Sequence, residues 1–519
     1  MLALAAALAS CATVVAAQNL TLGTGAQPTS LDPHYHNLGP NMSFSSAVFD
    51  NLVMMDARAR VVAGLAESWR AVDATTWEFR LRSGVTFHDG TPFTADDVTF
   101  TLDRLPTVAN SPGSFTLYIR SIIRAEVVDE RTVRFTTAGP NPMLPNTLAQ
   151  VPMIGRRIHS GLRTEDYNAG RGMIGTGPFR FVGGEIAGTL RLARNDAYWG
   201  TKPAWATATQ RAITNDGARM AALLAGDVDV VDQVPTADVA RMRGNPRLAL
   251  ADAVSLRSLF IVFDFSRQGA TPFVTDNTGR PIDPSPLRDV RVRRALSAAI
   301  DRQAIVDRVM EGGAIPTVQY MAPGNYGYAP DLEPRPADLA EARRLLAEAG
   351  FPEGFRLTLH GPNDRYPNDA RIIQAIGQMW TRAGIRTAVE ASPYASFINR
   401  ASRQEFSVFL GAWGASTGEP ATSLTATIAT YDPRRGTGTI NRGRHSDPAL
   451  DAAIAEAALI ADDREREERL QAVTRQAMER QPIIPLLIVR NTWAMRAGLR
   501  MEGRADERTR PQDVSPATP

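Results

Sequence analysis

The stretch from Phe355 to Trp413 constrains the fold of this chain more than any other. "FRLTLH" (Phe355–His360) reads as a strand, and "DARIIQAIGQMWTRAG" (Asp369–Gly384) as an amphipathic helix that Gly384 stops in the left-handed conformation. "IRTAVEA" (Ile385–Ala391), "PYASFINRAS" (Pro393–Ser402) and "FSVFLGAW" (Phe406–Trp413) continue as strand, helix and strand. This βαβαβ alternation predicts three parallel strands joined by helical crossovers. Open sheets of that kind gather ligands in the crevice beyond the carboxyl ends of their strands. Arg365, Tyr394, Trp413 and Ser416 follow those ends, so they are expected to face one cleft.

The rest of the chain sets the scale. Its 519 residues exceed the roughly 250–300 at which a single core stops growing, so two or three domains are expected. A hydrophobic content of 44% and a charged content of 22% are those of a water-soluble globular protein. A net charge of +2 gives no field to gather nucleic acid or an anionic membrane. The start, "MLALAAALASCATVVAAQ", is apolar and rich in small residues, as a secretory signal is. Cleavage after Val15-Ala16-Ala17 would leave a mature chain from Gln18 without cysteine. The alternative is a lipobox, Leu8-Ala9-Ser10-Cys11, with Cys11 as the lipidated first residue. Either way the run is short of the ~20 residues that span a bilayer. Export to the periplasm is expected, free or anchored through Cys11.

"GVTFHDGTPFTADDV" (Gly84–Val98) places a histidine beside three acids and looks chemical. Local rules absorb every one of them. "TWEFRL" alternates, with Trp77, Phe79 and Leu81 on one side, and Val85 and Phe87 resume the alternation after Ser83-Gly84. That predicts a hairpin with one buried face. His88-Asp89-Gly90-Thr91 then reads as a turn, and Thr94 as the N-cap of a helix with Asp96 and Asp97 in its first turn. Further helices are predicted around Val292, Leu296, Ala299 and Ile300, with Asp301 capping the next, and around Leu339, Ala342, Leu345 and Leu346 up to Gly350. "QPIIPLLIVRNTWAMR" reads as strand, and the polar "GRADERTRPQDVSPATP" as a loose tail. There is no GxSxG, HExxH or cysteine pair, so no enzyme is expected.

Taken in order, these segments resemble the peptide/nickel/opine family of extracytoplasmic solute-binding proteins of ABC importers. The resemblance is carried by "TSLDPH" (Thr29–His34), "VFDNLV" (Val48–Val53), "GLAESW" (Gly64–Trp69) and the block "TWEFRLRSGVTFHDGTPFTADDVTFTLDR" (Thr76–Arg104). It continues through "GTGPFRFV" (Gly175–Val182), "AALLAGDVDVVDQVP" (Ala221–Pro235), "LRDVRVRRALSAAIDRQAIV" (Leu287–Val306) and "LLAEAGFPEGF" (Leu345–Phe355). The family implies an α/β, bilobal, type II-like periplasmic binding fold with an extra inserted domain and a hinge between the lobes. Domain I would comprise residues 18–57, 172–258 and 482–519, domain II residues 58–171, and domain III residues 259–481, after a signal in 1–17. Ligand would sit between domains I and III.

The resemblance also marks a departure. Peptide-binding relatives carry an aspartate after the tryptophan of this loop, where it pairs with the ligand's α-amino group. Here the loop is "AWGASTGEP" and the matching position is Ser416, with Glu419 a substitute if the register differs by three. A neutral hydroxyl cannot offset the cost of burying an ammonium. Arg365 lies close to where relatives keep an arginine near the ligand carboxylate. The candidate ligand-binding residues are Trp413, Ser416, Thr417, Glu419, Arg365, Tyr394, His34 and Tyr35. His34-x-His36 has two imidazoles but no third ligand nearby, and no metal or cofactor is expected. The implied partners are a small peptide-like solute and the membrane permease of an ABC importer, with no nucleic acid and a monomeric chain. Opine, oligosaccharide, nickel chelate or loosely held unfolded peptide remain alternative solutes.

Overall fold

The computed structural model describes residues 19–517. The signal-like start, with Cys11 and the cleavage position, lies outside the described residues. Among those residues no helix is long and apolar enough to cross a membrane.

A sheet of 12 strands runs through the molecule. Two of its members, Leu248–Phe263 and Ile483–Arg496, are antiparallel neighbours long enough to serve two lobes. In the first lobe, Leu248–Val254 pairs with Arg490–Arg496, and beyond it come Val230–Val231, Asn19–Thr24 and Thr207–Ala212. In the second lobe, Arg257–Phe263 pairs with Val408–Gly414. The register of the two long strands breaks between Val254 and Ser258, where the lobes meet.

The second lobe contains the expected βαβαβ unit. Arg356–Pro362 pairs in parallel with both Arg386–Ser392 and Val408–Gly414. The crossover helix Asp369–Ala383 buries Ile372, Ile373, Ile376 and Trp380 against Leu357, Leu359 and Leu410. Each such side chain taken from water contributes about 1.5–3 kcal/mol. Gly384 ends the helix at φ +110. Asp301 caps its helix by accepting from Ala304 N at 2.9 Å, and Asp338 does the same for Glu341 N at 2.8 Å.

Two expectations are corrected. Val85–Phe87 does not pair with Thr76–Leu81, because both edges of that strand are taken, by Ala66–Ala71 and by Thr132–Thr137. Instead Thr86 bridges Pro92, and Phe93 N donates to Val85 O at 3.0 Å, closing a small loop around His88. Nor is the C-terminal segment loose. Its charges pair with one another, Arg504 with Asp506 at 2.7 Å and Arg510 with Asp513 at 2.6 Å. Trp205 donates to Val514 O at 2.7 Å, and Trp493 to Thr509 Oγ1 at 2.9 Å. Pairing offsets the desolvation cost that would otherwise keep such a charged stretch in water.

Candidate functional site

The three parallel strands of the second lobe deliver their carboxyl ends to one edge. Asp369 anchors the first loop by accepting from Arg365 N and Tyr366 N, both at 3.0 Å. Asp364 ties that loop to the second by accepting from Tyr394 N at 2.7 Å. The exposed Arg365 guanidinium lies 5.6 Å from the Tyr366 ring centre and 5.4 Å from that of Tyr394, and the two rings meet edge to face. Trp413 is the last residue but one of the third strand. It and Tyr394 pack on the same apolar cluster, and the Trp413 indole N–H is buried with no partner among the described residues.

Two guanidiniums and a carboxylate that the sequence pattern did not indicate complete this wall. Arg257, on the long shared strand, stands opposite Gly414 and donates through Nε and Nη2 to Glu507, both at 3.0 Å. Glu507 keeps the Arg257 guanidinium firmly protonated, against its burial. Arg442 donates to Ser402 Oγ at 3.2 Å, and it and Arg257 both lie within electrostatic reach of Tyr366 and Tyr394. Burial, with Tyr394 next to it, pushes the Tyr366 phenol up to about 12, so it stays a neutral donor.

The loop after Trp413 reaches through its main chain to a segment tied to the first lobe, where Asn51 Nδ2 donates to Ala149 O at 2.6 Å and Met153 N to Asp50 O at 2.8 Å. Gln150 Nε2 donates to Ser416 O at 3.2 Å, and Asn146 Nδ2 to Thr417 O at 2.8 Å. Arg508 donates to Gln150 Oε1 at 2.7 Å, which turns the Gln150 amide nitrogen toward the loop. Gly418, at φ +76, passes so close that a Cβ would stand 2.5 Å from Ala59 O. Ser416 is exposed and its hydroxyl faces the Tyr118 phenol, whereas Thr417 Oγ1 is turned inward onto Thr422 Oγ1 at 2.7 Å. Glu419 is buried and gripped by Arg466 through Nη2 at 3.0 Å and Nε at 3.4 Å. Burial pushes its carboxyl above the usual range even so.

The His34 ring is not brought to this wall. His34 is 1% exposed, and its Nε2 is 2.7 Å from Pro152 O, an acceptor, so that nitrogen carries the proton. Nδ1 then accepts from Arg104 at 2.9 Å, and burial followed by Arg104 lowers its pKa to about 3. The imidazole is neutral and fully engaged. Tyr35 is half-buried, and its carbonyl accepts from Ser111 Oγ at 2.6 Å. His36 turns to Thr29 Oγ1 at 3.1 Å, so the two histidines do not share a focus. His88 likewise serves its turn: Nε2 donates to Gly177 O at 3.0 Å, while Asp89 accepts from Thr91 N and Oγ1, both at 2.9 Å. Burial lowers the His88 pKa to about 4.

A family model described as bacterial extracellular solute-binding proteins, family 5 (middle), matches residues 60–432. The glutathione-binding protein GsiB of Salmonella paratyphi A is 28% identical over 484 residues, covering 91% of this chain and 90% of that protein. HbpA2 from Haemophilus parasuis superposes with a TM-score of 0.81 at 26% identity, covering 96% of this chain and all of that one (100%). CtaP from Listeria monocytogenes, an ABC transporter substrate-binding protein, superposes with a TM-score of 0.82 at 22% identity, covering 96% and 99%.

Proposed function

From the premise that the chain belongs to the family 5 bacterial extracellular solute-binding proteins, we propose that it captures a peptide-like solute between its lobes. It then presents the closed complex to the permease of an ABC importer. The supporting observation is the loop Gly414–Glu419, which stands at the carboxyl edge of the parallel strands and already bonds to Asn146 and Gln150 of the segment tied to the other lobe. A solute held against Trp413, Arg365 and Tyr394 would be covered as the lobes close about the two shared strands. His34, Tyr35 and Thr417 act in this reading as supports for the two walls, and Ser416 as a neutral contact.

The protein works in the periplasm as a monomer, without turnover, and Cys11 decides whether it is tethered. Mass spectrometry of the mature N-terminus and light scattering test those points. The function itself is tested by thermal stabilisation. A solute that binds only the folded state adds RT ln(1 + [L]/Kd), about 2.7 kcal/mol at a hundredfold excess over Kd. Peptides, glutathione, opines, oligosaccharides and nickel chelates should be screened for a rise in Tm and for hydrolysis. A rise without chemistry supports the reading, and hydrolysis without a rise overturns it.

A further inference from the structure

An ammonium drawn out of water into this cleft needs a carboxylate to receive it. The loop after Trp413 offers none, since Ser416 is neutral and the side chains of Glu419 and Arg466 are only 6% and 4% exposed. A different carboxylate stands beside the same wall. Glu507 reaches Arg257 from the C-terminal segment, and their side chains keep 34% and 26% of their surface open. Arg257 donates one bond to each Glu507 oxygen, which leaves a second acceptor site on each. Arg257 itself touches Gly414, with Nη2 3.7 Å from where a Cβ would stand, so the pair adjoins the Trp413 loop directly.

The backbone adds an independent sign. Glu507 sits at φ +63, a left-handed conformation that residues other than Gly and Asn seldom adopt unless their surroundings impose it. The surroundings here are buried: Glu507 N donates to Arg504 O at 3.3 Å, Arg508 N to Asp506 Oδ1 at 3.2 Å, and Thr509 Oγ1 to Asp232 Oδ2 at 3.0 Å. One partly open carboxylate is thus held out of an otherwise closed ionic segment.

We propose that Glu507, held in place by Arg257, is the ammonium-binding group of this protein and receives the free amino end of a peptide-like solute. The proposal rests on the solute-binding reading above and moves the amine's partner from the Trp413 loop to the C-terminal segment. Arg365 stacks on Tyr394 and Arg442 reaches Ser402 on the same wall, so the preferred solute carries a carboxylate as well as its amine.

Calorimetric titration with glutathione, trialanine and the Nα-acetylated form of each tests the proposal. The wild type should prefer the free amines by tenfold or more. Glu507→Gln should remove that preference while leaving the acetylated probes unchanged, and adding Ser416→Asp to it should restore at least part of the loss. Glu507→Asn, which tolerates the left-handed backbone but shortens the reach, should behave like Glu507→Gln and covers the case in which the longer amide perturbs folding. A wild type that binds acetylated and free probes alike, or a Glu507→Gln protein that keeps the preference, overturns the proposal and leaves solute binding intact. A wild type whose Tm no solute raises overturns both.

Discussion

Asp50 sits in the first lobe, fully enclosed, and accepts from Trp199 Nε1 at 2.8 Å, Thr176 Oγ1 at 3.0 Å and the Tyr198 phenol at 3.2 Å, with Arg510 further away. Burial outweighs these donors and lifts its pKa from the ordinary 3.8 to about 6. The folded state therefore holds a proton that the unfolded chain has lost between those values. Its stabilising effect is complete below pH 4 and disappears as pH rises through about 6, an effect of about 3 kcal/mol. Urea denaturation from pH 4 to 7 should show that decline, and Asp50→Asn should flatten it. Trp413 is a second test at this scale. Its face borders the wall and its indole N–H has no partner among the described residues, so Trp413→Ala should weaken solute binding more than tenfold with the fold intact. Unchanged affinity would mean the cleft lies elsewhere. Trp413, Ser416 and Arg365 were legible in the sequence because strand–helix alternation fixes which ends of the strands meet. Arg257 and Glu507 were not, since a pairing across 250 positions leaves no local pattern.

Elements whose signals are local behaved as their sequences predict. The helix Asp369–Ala383 carries its apolar stripe on one side and its glycine stop at Gly384, and both features act within a few residues. Trp380 is its largest buried side chain and donates Nε1 to Leu296 O at 2.9 Å, which joins the helix to its neighbour. Trp380→Ala should cost about 3–5 kcal/mol, measurable as a lower denaturant midpoint with the solute preference unchanged. The misread elements failed for the opposite reason. Nothing in "TWEFRLRSGVTF" reveals that Ala66–Ala71 and Thr132–Thr137 already fill both edges of the first strand. Alternating charges in "GRADERTR" look solvated until Gln150, Asp232 and Trp493 are brought against them.

Across the whole molecule the contacts between lobes are expected to set how readily the cleft opens. Asn146 and Gln150 bond to carbonyls of the Trp413 loop, so their grip does not depend on which side chains that loop carries. Each bond contributes about 0.5–1.5 kcal/mol. Removing both, in Asn146→Ala with Gln150→Ala, should shift the solute-free protein toward an open form with a larger radius of gyration by small-angle scattering. Solute affinity should fall in the same variant, and an unchanged radius would show that the clasp does not govern opening. The two long strands carry another consequence, one of timing. Val230–Val231 lies between Asn19–Thr24, among the earliest described residues, and Ile483–Arg496, among the last. A ribosome releases the chain from its N-terminus, so the first lobe begins with its sheet split and its central strand still unmade. The second lobe can be complete in length while the first still waits. Ile483–Arg496 must be made before the half that starts first can fold, which leaves a long interval in which the growing chain remains open.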